Sequence, residues 1–126
     1  MPEHQLTLAL LAGAYAVCRL SADAAVPAWA TGEFVNVTRA AGELSVVCRE
    51  DAVPDGVRCE RDWRCLRVVG TLDFSLVGVL AALLVPLAAA GVSVFAVSTF
   101  DTDYVLVREA DLGRAMAALR AAGHSI

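Results

Sequence analysis

The stretch Gly91-Val-Ser-Val-Phe-Ala-Val-Ser-Thr-Phe-Asp-Thr-Asp-Tyr-Val-Leu-Val-Arg108 constrains this chain more than any other. Two runs rich in β-branched and aromatic residues, Val92 to Val97 and Tyr104 to Val107, flank a short polar link, Ser98 to Asp103. The pattern predicts an antiparallel hairpin, because such side chains suit a pleated, half-buried surface. The turn itself does not need Asp101 and Asp103 at its mouth. Both are therefore candidates for a binding role.

The flanking segments extend this reading. Trp63 to Val69 reads as a strand with Leu66, Val68 and Val69 as its apolar body. Thr71 to Ser75 is a link with several candidate helix caps, Asp73 and Ser75 among them. Leu76 to Ala90 is rich in helix formers, and Gly91 stands where a left-handed residue ends a helix. Asp111 opens a second helix whose positions Leu112, Ala115, Met116, Leu119 and Ala122 follow helical spacing. Gly123 closes it, and His124 to Ile126 leaves room for a short final strand. In order, the second half is β-α-β-β-α-β, an α+β, ferredoxin-like pattern with both helices on one face of the sheet.

The first half is less regular. Leu6 to Leu11 and Tyr15 to Leu20 read as two short strands, and Phe34 to Arg39 with Leu44 to Arg49 as a second hairpin. Pro27 to Ala30 is a turn of helix or an irregular link. Val53 to Val57 is turn chemistry, and Val57 to Trp63 reads as a brief helix. No long first helix is predicted here.

The segments Leu72-Asp-Phe-Ser-Leu-Val-Gly-Val79 and Gly91 to Val107 resemble the ACT domain family. The likeness extends over residues 63 to 123, and more weakly over Glu43-Leu-Ser-Val-Val-Cys48 and Val53-Pro54. Within that family the chain resembles small tandem-ACT proteins, related to aspartate kinase regulatory modules and to the cytosolic arginine sensor of animal growth signalling. The resemblance implies two ACT-like units sharing a core: an abbreviated one over 1–62 and a full one over 63–126. It also implies a small regulatory ligand, most often an amino acid, and no catalysis. Asp103 would stand where arginine-sensor relatives contact their ligand.

Composition bounds the remaining classes. At 126 residues the chain holds one ordinary domain or two very small ones, and a hydrophobic content of 58% excludes a disordered chain. A net charge of −4 argues against nucleic acid. The ten basic residues are all Arg. Those at 49, 58, 61, 64 and 67 alternate with Glu50, Asp51, Asp55, Glu60 and Asp62, a mutually neutralising surface rather than a basic stripe. From Leu76 to Val97, 22 residues run without a charge, which meets the crude length rule for a membrane span. Pro86, Gly91 and the change to β-branched character at Val92 favour a buried helix followed by a buried strand.

Acidic Glu3 before the apolar Leu6 to Leu11 run argues against a secretory leader. Cys18 and Cys48 lie in apolar strand-like runs. Cys59 and Cys65 lack zinc-knuckle spacing, and no disulfide between them is supported. With only His4 and His124 besides, no metal site or cofactor is expected, and the cytoplasm is the default compartment.

No catalytic triad, Cys/His pairing or phosphate loop is present, so the chain is not read as an enzyme. The candidate ligand site joins Asp73, Phe74, Ser75 and Gly78 to Ser98, Thr99, Phe100, Asp101 and Asp103. Helix N-terminal amides suit a carboxylate, and a nearby aspartate suits an ammonium or a basic side chain. Each residue also has a plainer reading. Asp73 favours an N-cap, Ser98 and Thr99 can satisfy turn backbone groups, and carboxylates beside a hairpin are often simply solvated. A homodimeric amino-acid sensor leads. A structural dimerisation module with a vestigial pocket is the alternative.

Overall fold

In the computed structural model, which describes residues 4–126, the elements follow in chain order. They are β1 (Leu8–Leu10), β2 (Tyr15–Leu20), β3 (Asn36–Arg39), β4 (Leu44–Arg49), β5 (Cys59–Val68), α1 (Val79–Ala89), β6 (Val94–Ser98), β7 (Asp103–Arg108) and α2 (Leu112–Ala121). Single 3-10 turns lie at Glu50–Ala52 and Glu109–Asp111. Glu3, used in the argument against a secretory leader, lies outside the described residues. The chain divides into two compact units, Ala12–Trp63 and a second made of residues 4–11 with Arg64–Ile126.

In Ala12–Trp63, β4 lies between β2 and β3, and β2 pairs on its other side with the first half of β5, all antiparallel. Strands β2 and β3 thus run parallel with β4 between them, the split order of a ferredoxin-like sheet. A parallel pair needs a crossover of about a dozen or more residues, usually a helix. The crossover here, 21–35, contains no α-helix. Pro27 and Gly32 both work against one. Ala24, Trp29, Ala30, Val53 and Val57 cover the buried Ala16, Cys18, Leu44, Val46 and Cys48 instead. This unit is abbreviated in its cover and not in its strands.

The helix expected over Val57 to Trp63 is corrected to strand. Burial alternates from Cys59 to Asp62, a period of two, and Val17↔Glu60 and Cys18↔Cys59 are strand partners. A register shift between Tyr15 and Val17, with left-handed Asp62 at φ 65°, marks a bulge. Cys59 and Cys65 sit on one strand, roughly 20 Å apart at about 3.3 Å per residue, so they cannot be bridged.

The second unit has its strands in the order β1-β5-β7-β6. Here two expectations change. The sequence groups residues 4–11 with the N-terminal half, but Leu8↔Val68 and Leu10↔Leu66 place β1 on the edge of β5. The final strand is reduced to one parallel bridge, Thr7↔Ser125. After left-handed Gly123 (φ 100°) three residues remain, too few for a ladder, and β1 fills the edge that strand would have taken. Leu8, Leu66, Val68, Val105 and Val107 meet Leu83, Leu87, Ala115 and Leu119 in one core, so both helices pack on the same set of strands.

Helix α1 begins at Val79, three residues after the predicted start, because Gly78 adopts φ 84° and ends the preceding loop. That left-handed conformation favours glycine, which has no Cβ to strain it. Pro86 lies inside α1 and has no N–H for the carbonyl of Ala82. His124 repairs the gap: its Nε2–H donates to Ala82 O at 2.9 Å, while Nδ1 accepts from Leu6 N–H at 3.1 Å. The buried histidine is thus a neutral clasp. Among the described residues no helix is long and apolar enough to cross a membrane.

Candidate functional site

The hairpin builds one wall of a cleft. Strands β6 and β7 run in register from Val94↔Val107 to Ser98↔Asp103, and Thr99 to Thr102 make the turn. Thr99 N–H and hydroxyl both donate to Thr102 O, at 2.8 and 3.0 Å, so the turn satisfies its own backbone. The buried Thr102 hydroxyl donates to Val68 O at 2.8 Å, fastening the turn to β5. Leu72 N–H donates to Asp101 O at 2.6 Å and brings the loop before α1 against the hairpin.

These contacts enclose about 190 Å³ lined by Leu72, Asp73, Phe74, Leu76, Val79, Ser98, Thr99, Phe100, Asp101, Thr102 and Asp103. Of the nine residues predicted from sequence, Asp73, Phe74, Ser98, Thr99, Phe100, Asp101 and Asp103 line it. Ser75 and Gly78 do not. Ser75 instead donates its N–H (2.8 Å) and hydroxyl (2.7 Å) to Asp73 Oδ1, and Gly78 sets the start of α1. Leu72, Leu76, Val79 and Thr102 were missed. Thr102, between two aspartates at a strand end, was the one with a sequence signal, since a hydroxyl there can hold a neighbouring carbonyl.

The aspartates differ. Asp103 is buried at 8% exposure, and Ser98 donates its hydroxyl to Oδ1 at 2.6 Å. Asp101 is exposed in the turn, so the two do not form one paired group. Asp73 caps the turn that follows it and not the helix. The Ser75 amide first, and its hydroxyl second, hold the exposed Asp73 carboxyl below its ordinary range. No side chain caps α1, and Val79, the first residue of its first turn, lies in the cleft wall. At the mouth, Phe74 and Phe100 meet edge to face with centroids 4.8 Å apart, and both are exposed. Among the described residues no group of acidic, cysteine or histidine side chains is arranged to hold a metal.

A family model for the ACT domain matches residues 58–121, and a second, describing an N-terminal domain, matches 13–56. No curated protein matches the sequence. A crystal structure of an Agrobacterium tumefaciens protein is 42% identical over 97% of this chain and 92% of that one, with a TM-score of 0.91. A Vibrio cholerae protein, described as of unknown function and possibly in transport, is 21% identical over 94% and 91%, with a TM-score of 0.77. The ligand-free regulatory subunit of aspartate kinase from Thermus thermophilus shares the fold, at 15% identity over 91% and 96% and a TM-score of 0.62. Taken with the ferredoxin-like strand order within each unit, the match over 58–121 shows that the chain belongs to the ACT domain family.

Proposed function

We propose that the protein is a non-catalytic regulatory protein that binds a free amino acid or a close analogue in the cleft between the Leu72–Leu76 loop and the β6–β7 turn. The observation that carries this reading is Asp103, a buried carboxylate in the wall of a cleft whose other side is the start of a helix without a side-chain cap. Uncapped amides and the helix dipole attract a carboxylate, and a desolvated aspartate attracts an ammonium. An α-amino acid presents both. The volume, about 190 Å³, is below the range of about 300–1,000 Å³ for drug-sized ligands and suits a smaller molecule. Asp73 is occupied by Ser75, so Asp103 is the main cation-binding group, with Asp101 at the rim.

We place the protein in the cytoplasm as a homodimer. The four free cysteines support a reducing compartment, and the outer strand β6 and exposed Phe74, Val77 and Phe100 support association. The exposed Phe74–Phe100 pair also favours the second reading, an interaction module whose cleft is vestigial. Thermal-shift measurements against the twenty amino acids, followed by calorimetry on any hit, separate the two. A ligand that binds only the folded protein raises Tm. A folded dimer with no shift and no heat from any of them would leave the interaction module standing.

A further inference from the structure

Cys18, Cys48 and Cys59 come from three different strands and meet on one buried patch of the N-terminal unit. Cys18 and Cys59 are direct partners across β2 and β5. Arg19 N–H donates to Arg58 O at 2.9 Å, which makes 19/58 a hydrogen-bonded pair and the adjacent 18/59 a non-hydrogen-bonded one. Side chains approach most closely at such positions, with Cα atoms about 4.5 Å apart, inside the range that a disulfide spans. We propose that Cys18 and Cys59 form a reversible cross-strand disulfide, a redox modification site in the N-terminal unit.

The chemistry follows from exposure. Cys59 is half-buried, whereas Cys18 and Cys48 are closed off from water. Burial, ahead of the neighbouring thiols, pushes Cys18 up to about 12, and burial likewise raises Cys48. A hydroperoxide therefore reaches Cys59 first. The Cys59 sulfur attacks the peroxide oxygen, the O–O bond breaks, and an alcohol (water, for hydrogen peroxide) leaves with a sulfenic acid on Cys59. The Cys18 sulfur then displaces that hydroxyl, which departs as water with the Cys18 proton, and the S–S bond forms. Two thiols and one hydroperoxide give one disulfide, one alcohol and one water. Cβ atoms of cross-strand partners stand about 4.5–5.5 Å apart against about 3.8 Å in a relaxed disulfide, so the strands must close slightly. A strained bond of this kind is readily reduced, and a dithiol returns both protons and both electrons.

The test treats the folded full chain with hydrogen peroxide, blocks remaining thiols by alkylation, and maps tryptic peptides without reduction by mass spectrometry. The expected product joins the Cys18 peptide to the Cys59 peptide, two hydrogens lighter than the pair, and disappears with dithiothreitol. Cys59→Ser, at a half-exposed site, should abolish it. Cys65→Ser should not change it, and Cys48→Ser should leave it if that variant folds. A Cys18–Cys48 link, a Cys59 link between two chains, sulfinic acid at Cys59 without a link, or thiols that stay unreacted would each overturn the proposal.

Discussion

In the unit Ala12–Trp63 irregular segments carrying Ala24, Trp29, Val53 and Val57 cover the sheet, whereas in the C-terminal unit two helices lay Leu83, Leu87, Ala115 and Leu119 over it. The strand orders correspond, β3-β4-β2-β5 in one and β6-β7-β5-β1 in the other. A split sheet therefore needs crossovers of sufficient length and some apolar cover, and the cover need not be helical. What the helices add is a terminus. The uncapped start of α1 faces a cleft beside Asp103, and the N-terminal unit has no α-helix to offer the same to a ligand.

The largest expected effect breaks the two covers separately. Leu83 is fully buried, and Leu83→Ala should cost about 2–5 kcal/mol, the scale for a core cavity. Trp29 packs against its core only partly buried, so Trp29→Ala should cost less than Leu83→Ala by urea unfolding. Equal costs would mean that the irregular cover is as well packed as the helical one. Next in size, Asp103→Ala should weaken ligand binding by about 2 kcal/mol in calorimetry, with the fold intact. Arg49→Ala, which breaks the 2.9 Å contact to Asp51 in the N-terminal unit, should leave affinity unchanged.

The His124 clasp sharpens the comparison further, because only a unit with helices needs it. His124→Ala should destabilise by about 1–3 kcal/mol, leaving Ala82 O and Leu6 N–H without their partner. In a Pro86→Ala background, residue 86 regains an N–H for Ala82 O, so the same substitution should cost less. A double-mutant cycle by urea unfolding reads that coupling, and strict additivity would refute the repair. Gly78→Ala comes next at about 1–2 kcal/mol, from left-handed backbone strain alone, since the nearest side-chain atoms to an added Cβ are 4.0 Å away.

The smallest effect is that of pH on the Asp73 turn. Its carboxyl is lowered in the folded protein, so the turn's contribution is present above the unfolded value of 3.8 and is lost as pH falls through the lower folded value. An NMR titration of the Ser75 amide should move in that acidic window, and a midpoint at or above 3.8 would contradict the Ser75 contacts.

Much of the C-terminal unit was legible because its signals are local. The branched runs around Ser98 to Asp103, the helical spacing from Leu112 to Leu119, and glycines at 91 and 123 each act within a few residues. Seven of the cleft-lining residues could be named for the same reason: they lie next to elements whose ends are marked by composition. Tertiary structure decided the rest. Nothing near Leu8–Leu10 says that it will pair with β5, because an apolar run too short for a sheet of its own joins whichever edge is left open. Val57 to Trp63 carries no local strand signal, because its polar alternation gains meaning only when β2 lies alongside. Asp101 and Asp103 look alike in sequence, and only the closing of the hairpin leaves one in water and buries the other. His124 likewise has no local signal, since its purpose is a carbonyl freed by a proline 38 positions earlier in the chain. Periodicity and turn chemistry reach across about one element, and pairing partners, burial and repaired hydrogen bonds are set by residues far apart in sequence.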